Sequence, residues 1–490
     1  MDRRDFLILA GLAGALPNRV SQATQVVNPA APPPSPPDHR AVQIESLVTA
    51  KMAEYRVPGV ALGIIKDRQL FIRGFGVTNV DDPTPILSNT IFTIASISKT
   101  MTATAVMKLV EQGKADLKAP VQKYVPDFRV ADAAVTREVT LWHLLTHTPG
   151  WEGQLSSQDR GNDALAHFAN TVLSDVPQMA PPGAVWSYNN AGFSLAGRAI
   201  ELITERNIHD ALRDLVFTPL GLTRTFTRLT DAATYRLSLG HREQGGGTQV
   251  IRPYQSTSGV TAGGVMTTIA DLMKYAQFHL GDGAAPDGKP YIKRALLDQM
   301  KTSQVRKNST DDEMGAGWHL RRVGGVMTAA HGGTLNGHCL LIQLVPDRNL
   351  AFAILTNHIG GWKLVQDVEA AILKTYEGVA LTPNQPIGHR GVNEAITFHS
   401  KALATQPKLD EYVGTYRRTP SGPVNVRAEN GRLLAGGGQQ GGATLLFYGP
   451  DVAYAETGAY LGSPYEFIRA SDGKVGWIRV NGRIARKDST

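Results

Sequence analysis

The sequence predicts an α+β fold: an antiparallel sheet flanked by helices, an all-helical region between its strands, and a small antiparallel β-barrel or sandwich at the C-terminal end. Three observations lead there. A helical pattern in residues 41–55 runs straight into two strand-like segments, the strand pattern returns near residue 340, and short β-like runs fill the chain from Leu409 onward. At 490 residues the chain exceeds what one hydrophobic core usually supports, so more than one folding unit is expected.

Taken in order, the first segment lies outside the fold. "MDRRDFLILAGLAGAL" pairs Arg3 and Arg4 with an apolar run too short to span a bilayer comfortably. It resembles a twin-arginine export signal over residues 1–23, with Ser21-Gln22-Ala23 offering small residues for cleavage, and it places the mature protein in the periplasm or outside the cell. Residues 24–40 are rich in proline and read as a linker. The first domain then spans 41–385. "AVQIESLVTAKMAEY" has helical spacing, and "GVALGIIKDRQLFIRGFGV" reads as two strands joined at Lys66-Asp67-Arg68. From Ile97 to Gln112 the pattern is helical and stops at Gly113, a good C-terminal cap residue. "TLWHLLTH" and "DLMKYAQFHL" read as further helices, and "CLLIQLVPDRNLAFAILTN" as a hairpin turning at Pro346-Asp347-Arg348-Asn349. After a linker over 386–405, the last domain, 406–490, alternates β-like runs with the turn dipeptides Asn430-Gly431, Asp472-Gly473 and Asn481-Gly482.

Composition narrows the function. The chain is 42% hydrophobic and 19% charged, with a formal charge of +7, but its Lys and Arg residues are scattered and form no basic tract of the kind that binds nucleic acid. Beyond the N-terminal segment no run is apolar enough for a transmembrane helix. Cys339 is the only cysteine, so an intramolecular disulfide and cysteine-based metal clusters are excluded, and a buried structural thiol is the expected role.

Ser96-x-x-Lys99 stands at the start of the helix predicted from Ile97. A serine hydroxyl needs a neighbouring base to become a nucleophile, and residues three apart on a helix share a face. Unpaired N–H groups at the helix start favour negative charge there. Lys99 can act as base only if burial or a nearby cation lowers its pKa far below about 10.4. One such motif is expected by chance roughly once or twice in a chain this long. Two more segments change its weight: Tyr188-x-Asn190 in "WSYNNAG", and His331-Gly332-Gly333 directly before the closing hairpin.

In this order and on these elements, the three motifs resemble the signatures of penicillin-binding-protein and class C β-lactamase-like serine hydrolases. "LLTHTPGW" at 144–151 and a Gly-Gly helix entry in "TAGGVMTTIADLMKY" at 261–275 belong to the same resemblance, which spans about residues 41–380. It implies a β-lactamase-like fold and an acyl-enzyme on Ser96, with Lys99 and Tyr188 sharing general-base duty and Tyr188 protonating the leaving group. Asn190 would bond Lys99 or the substrate amide, and the backbone N–H groups of Ser96 and Thr334 would form the oxyanion hole. His331 and Gly332 stand where the family most often has lysine and threonine, which points away from β-lactams and toward small or D-residue-containing peptides and amides. Carboxylesterase activity, or a penicillin-sensor role without efficient turnover, are the alternatives. The resemblance implies a small-molecule or short-peptide substrate, no cofactor and no metal. The C-terminal strands resemble a lipocalin-like barrel that in such proteins covers the cleft or mediates homo-oligomer assembly.

Rival sites are weaker. His143 and His147 fall four apart on a predicted helix, a spacing that suits a metal, but no H-E-x-x-H accompanies them. Gly436, Gly438 and Gly441 form a G-x-G-x-x-G that no helix follows, and there is no G-x-S-x-G elbow.

Overall fold

The computed structural model describes residues 39–155, 157–307, 312–380, 402–418, 422–437, 440–458 and 461–488. The export signal, most of the Pro-rich linker and the linker predicted over 386–405, as far as residue 401, lie outside them.

Helix α1 (His39–Tyr55) begins two residues before the predicted domain start and leads into the sheet. Among the described residues that sheet has eight strands: β1 (Gly59–Lys66), β2 (Gln69–Gly76), β3 (Val305–Arg306), β4 (Glu313–Met314), β5 (His319–Val323), β6 (Val326–Leu335), β7 (His338–Val345) and β8 (Leu350–Thr356). Their spatial order is β2-β1-β8-β7-β6-β5-β4-β3, all antiparallel. The first strand therefore pairs with the last, Val60 opposite Thr356 and Lys66 opposite Leu350. That is why the strand pattern of residue 60 resumes near residue 340.

Strands β1, β7 and β8 are apolar at nearly every position because both of their faces are covered. Val60, Leu62 and Ile64 face α1 and α5 (Trp362–Glu377), together with Leu341, Phe352 and Ile354. Ala61 and Ile65 face the other way, with Leu340, Ile342 and Leu355, into the larger core formed with α2 (Ser98–Glu111) and α4 (Ile269–Leu280). The helical region, which also holds α3 (Asn190–Thr204), is thus inserted between β2 and β3 and packs on that second face.

Two local readings need correction. The helix predicted over "TLWHLLTH" stops at Leu145: Thr140 and His143 cap its start reciprocally, and His147 has left the helix with a left-handed φ of 60°. His143 and His147 therefore do not share a helical face. The Gly-Gly pair of "TAGGVMTTIADLMKY" does not open a helix. It closes the short helix Val260–Gly263, after which Met266–Thr268 forms a strand paired with Ile91–Thr93, and α4 starts at Ile269 behind the Thr268 cap.

The C-terminal strands close into an eight-stranded antiparallel barrel running from Gly414 to Lys487. Of the barrel and sandwich alternatives, closure is the one found, and it leaves no unpaired sheet edge. Its last hairpin, Val475–Val480 and Arg483–Lys487, turns at Asn481 and Gly482, whose φ values of 53° and 72° suit a two-residue type I′ turn. The barrel region starts before residue 406, since the Leu403 N–H donates to the Phe447 carbonyl. Gly436 and Gly441 lie on barrel strands with no helix after them.

Candidate active site

Ser96 sits in a one-turn 3₁₀ helix, Ala95–Ile97, that runs directly into α2. Behind it, Ile94 donates its N–H to the Val265 carbonyl, and the Ser98 hydroxyl donates to Ala95 O at 2.6 Å while accepting from the Val265 N–H. These bonds hold Ala95 at a left-handed φ of 48°, an uncommon conformation for a residue with a Cβ, and present Ser96 at the mouth of the helix.

Lys99, one turn on, is fully buried. Its Nζ donates to Ser96 Oγ at 3.2 Å and to the Ala262 carbonyl at 2.5 Å, and lies 4.9 Å from the centre of the Tyr188 ring. Burial drives its pKa well below the ordinary lysine value, and the like charge of Arg483 adds to the effect. Tyr188 is half-buried, and desolvation pushes the pKa of its phenol up to about 12, an effect the neighbouring Ser96 hydroxyl opposes. Lys99 Nζ thus lies beside the Ser96 hydroxyl and the Tyr188 ring, with its charged form disfavoured by burial.

Motif two is positioned from both sides. The His147 carbonyl accepts from the Ser187 N–H, His147 Nδ1 accepts from the Asn189 N–H at 2.9 Å, and the imidazole packs 4.6 Å from the Tyr188 ring. Asn189 caps α3 through the Gly192 N–H, and its amide donates to Trp151 O. Asn190 opens α3, and its side chain has no hydrogen-bond partner among the described residues.

Motif three occupies the free part of β6. Strand β5 pairs with β6 only as far as His319 opposite Ala330, so residues 331–335 have β7 on one side and the Ser96 turn on the other. A Cβ on Gly333 would lie 2.6 Å from Ile94 O, 2.9 Å from Ala95 Cβ and 3.2 Å from Ser96 N. Glycine is thus what allows the strand edge to reach the Ser96 backbone. Thr334 Oγ1 accepts from Trp362 Nε1 at 2.7 Å. His331 is buried, its Nδ1 lies 2.7 Å from Gly332 O, and burial drives its pKa down to about 3. The residue in the lysine position of motif three therefore carries no charge near neutral pH.

Ser96, Lys99, Tyr188 and motif three converge. Three neighbours were not assigned to this chemistry by the sequence reading: His147, weighed there only as a metal ligand, His319, and Arg483. The His319 ring lies 4.8 Å from His331 and 6.2 Å from Tyr188. The Arg483 guanidinium carbon lies 5.3 Å from the centre of the Tyr188 ring. Only His147 carried a local signal, in "LLTHTPGW"; β5 and the barrel deliver the others from far along the chain.

Residues 44–376 match the Beta-lactamase family model. Over 340 residues the chain is 34% identical to penicillin-binding protein 4 of Amycolatopsis lactamdurans, a match covering 68% of this chain and 89% of that protein. The chain belongs to the β-lactamase family of serine hydrolases, which includes penicillin-binding proteins. Solved structures share the fold at lower identity. SurE with D-Leu superposes with a TM-score of 0.75 at 22% identity, covering 92% of this chain and all of SurE, so the likeness takes in the barrel. The octameric penicillin-binding protein homologue from Pyrococcus abyssi gives a TM-score of 0.61 at 21% identity, over 91% of this chain and 100% of that one. A class C β-lactamase gives 0.60 at 19% identity over 69% of this chain and 97% of that one.

Proposed function

We propose that this protein hydrolyses small or D-residue-containing peptides and amides through an acyl-enzyme on Ser96. The observation that carries the reading is the buried Lys99 amine held 3.2 Å from Ser96 Oγ, with Tyr188 beside both. The Ser96 proton passes to the neutral Lys99 amine as Oγ bonds to the substrate carbonyl carbon. The C–N bond then breaks, the departing nitrogen takes a proton from Tyr188, and the Lys99 ammonium returns one to the phenol. Water attacks the acyl-enzyme by the same route reversed, releasing the acid and restoring Ser96. Developing negative charge on the carbonyl oxygen is met by the N–H groups of Ser96 and Thr334, while Asn190 orients the amide.

Two observations favour this substrate class over β-lactams. His331 is uncharged and Gly332 has no hydroxyl, so motif three offers a substrate carboxylate neither a cation nor that donor. SurE with D-Leu is among the structures alike over nearly the whole chain. The N-terminal segment supports a periplasmic or secreted setting for this activity.

A panel of D- and L-aminoacyl amides and short peptides, run beside p-nitrophenyl esters, tests the reading. Amide hydrolysis is expected, with Ser96→Ala lowering it by at least about 10⁴-fold. Rapid ester turnover with no amide hydrolysis would make the protein a carboxylesterase instead. A single burst of acylation without steady product release would make it a sensor.

A further inference from the structure

The barrel's last hairpin does more than touch the first domain. Gly482 O accepts from the Tyr188 N–H at 2.9 Å, and the next residue, Arg483, donates from its guanidinium to Tyr188 O at 2.8 Å. Both backbone polar groups of Tyr188 are therefore bound by the barrel. Around them, the Ile484 N–H donates to Ser187 Oγ and Arg479 Nε donates to Trp186 O, while Ile484 packs with Met179, Ala180 and Val185 in an apolar cluster shared by the two regions. Where a Cβ on Gly482 would stand, Trp186 is 3.4 Å away, so the turn lies flat on the motif.

We propose that the C-terminal barrel completes the catalytic centre, with Arg483 as a positioning residue that holds Tyr188 against Ser96 from outside the first domain. The inference rests on the role given to Tyr188 above. Backbone bonds from two successive barrel residues fix where the phenol can reach, and motif two, being the irregular approach to α3, has no strand ladder of its own to do so. Charge acts in the same direction. Arginine is always protonated in proteins, and Arg483 disfavours a second cation at Lys99. The other groups facing Lys99, namely Ser96, Tyr188, His147 and His331, are uncharged at neutral pH. The Glu152 carboxylate lies 4.0 Å from Arg483.

Arg483→Met, Arg483→Lys, Tyr188→Phe and the double variant Arg483→Met/Tyr188→Phe test the proposal in the full-length protein. Two readouts are used: amide hydrolysis across pH, and the rate of Ser96 labelling by a fluorophosphonate that carries no carboxylate. Arg483→Met is expected to lower both by about 100-fold, the cost of a misplaced catalytic group, and to move the acid limb of activity to higher pH. In the Tyr188→Phe background it should cost little more. Arg483→Lys should restore the acid limb and only part of the rate, and it carries the test alone if the methionine variant does not accumulate folded. Unchanged labelling and an unchanged pH profile in a folded Arg483→Met, while Tyr188→Phe is impaired, overturn this inference and leave the proposed function standing. If Ser96→Ala and Tyr188→Phe both stay active, the proposed function itself fails, and this inference with it.

Discussion

Gly333 shows how much of this site depends on one missing methyl group. Gly333→Ala would place a carbon against Ile94 O and Ala95 Cβ, forcing the β6 edge away from Ser96. The expected outcome is a folded protein whose kcat falls about 10²- to 10³-fold, the usual loss when an oxyanion donor is displaced; steady-state kinetics beside thermal unfolding separate the two effects. Tyr188→Phe keeps the ring packed on His147 and removes only the phenolic hydroxyl, so a loss of about 10²- to 10⁴-fold in kcat/KM is expected with no drop in Tm. Ser96, Lys99, Tyr188, His331 and the glycines were legible because each motif is short and contiguous, and because three of them in order are far rarer than any one. The electrostatic state of His331 was not legible. A histidine standing for a lysine reads as a titratable cation until β5, β6 and the surrounding rings bury it.

At the scale of elements, α2 departs from the amphipathic pattern that usually marks a helix. It is buried on every side from Ser98 to Met107, yet it carries Thr100, Thr102 and Thr104. Their hydroxyls are satisfied on backbone carbonyls: Thr100 donates to Ile97 O and Thr104 to Thr100 O within the helix region, and Thr102 to both Ser98 O and the distant Thr261 O. Thr102→Val, nearly equal in shape, leaves the Thr261 carbonyl without that donor and is expected to lower unfolding free energy by about 1–3 kcal/mol in denaturant titration. Most elements were legible from periodicity and turn residues, including the closing hairpin. The two that were misread, at "TLWHLLTH" and "TAGGVMTTIADLMKY", fail for one physical reason. Tertiary bonds to His147 and to the Ile91–Thr93 strand override local helical propensity beside the active site.

For the whole molecule, buried neutral histidines tie stability to acidity. His331, His338 and His209 are buried, and desolvation lowers their pKa values to about 3, 4 and 4. In the unfolded chain each would titrate near 6.5. Below that pH the unfolded state takes up protons that the folded state refuses, so the stability present above pH 6.5 is lost as pH falls toward 4, at up to about 1.4 kcal/mol per pH unit for each histidine. Calorimetry between pH 7 and pH 4.5 should show Tm falling steeply across this window. A flat profile would mean that these rings are protonated in the folded protein.

The contact between Tyr188 and the last barrel hairpin also has a consequence in time. During synthesis Ser96 and Lys99 leave the ribosome well before Gly482 and Arg483. Until the latter emerge, the Tyr188 amide and carbonyl lack their partners, and a nascent or truncated chain carries Ser96, Lys99 and Tyr188 without that alignment. On the proposed mechanism, reactivity at Ser96 therefore waits for the barrel's last hairpin to be made.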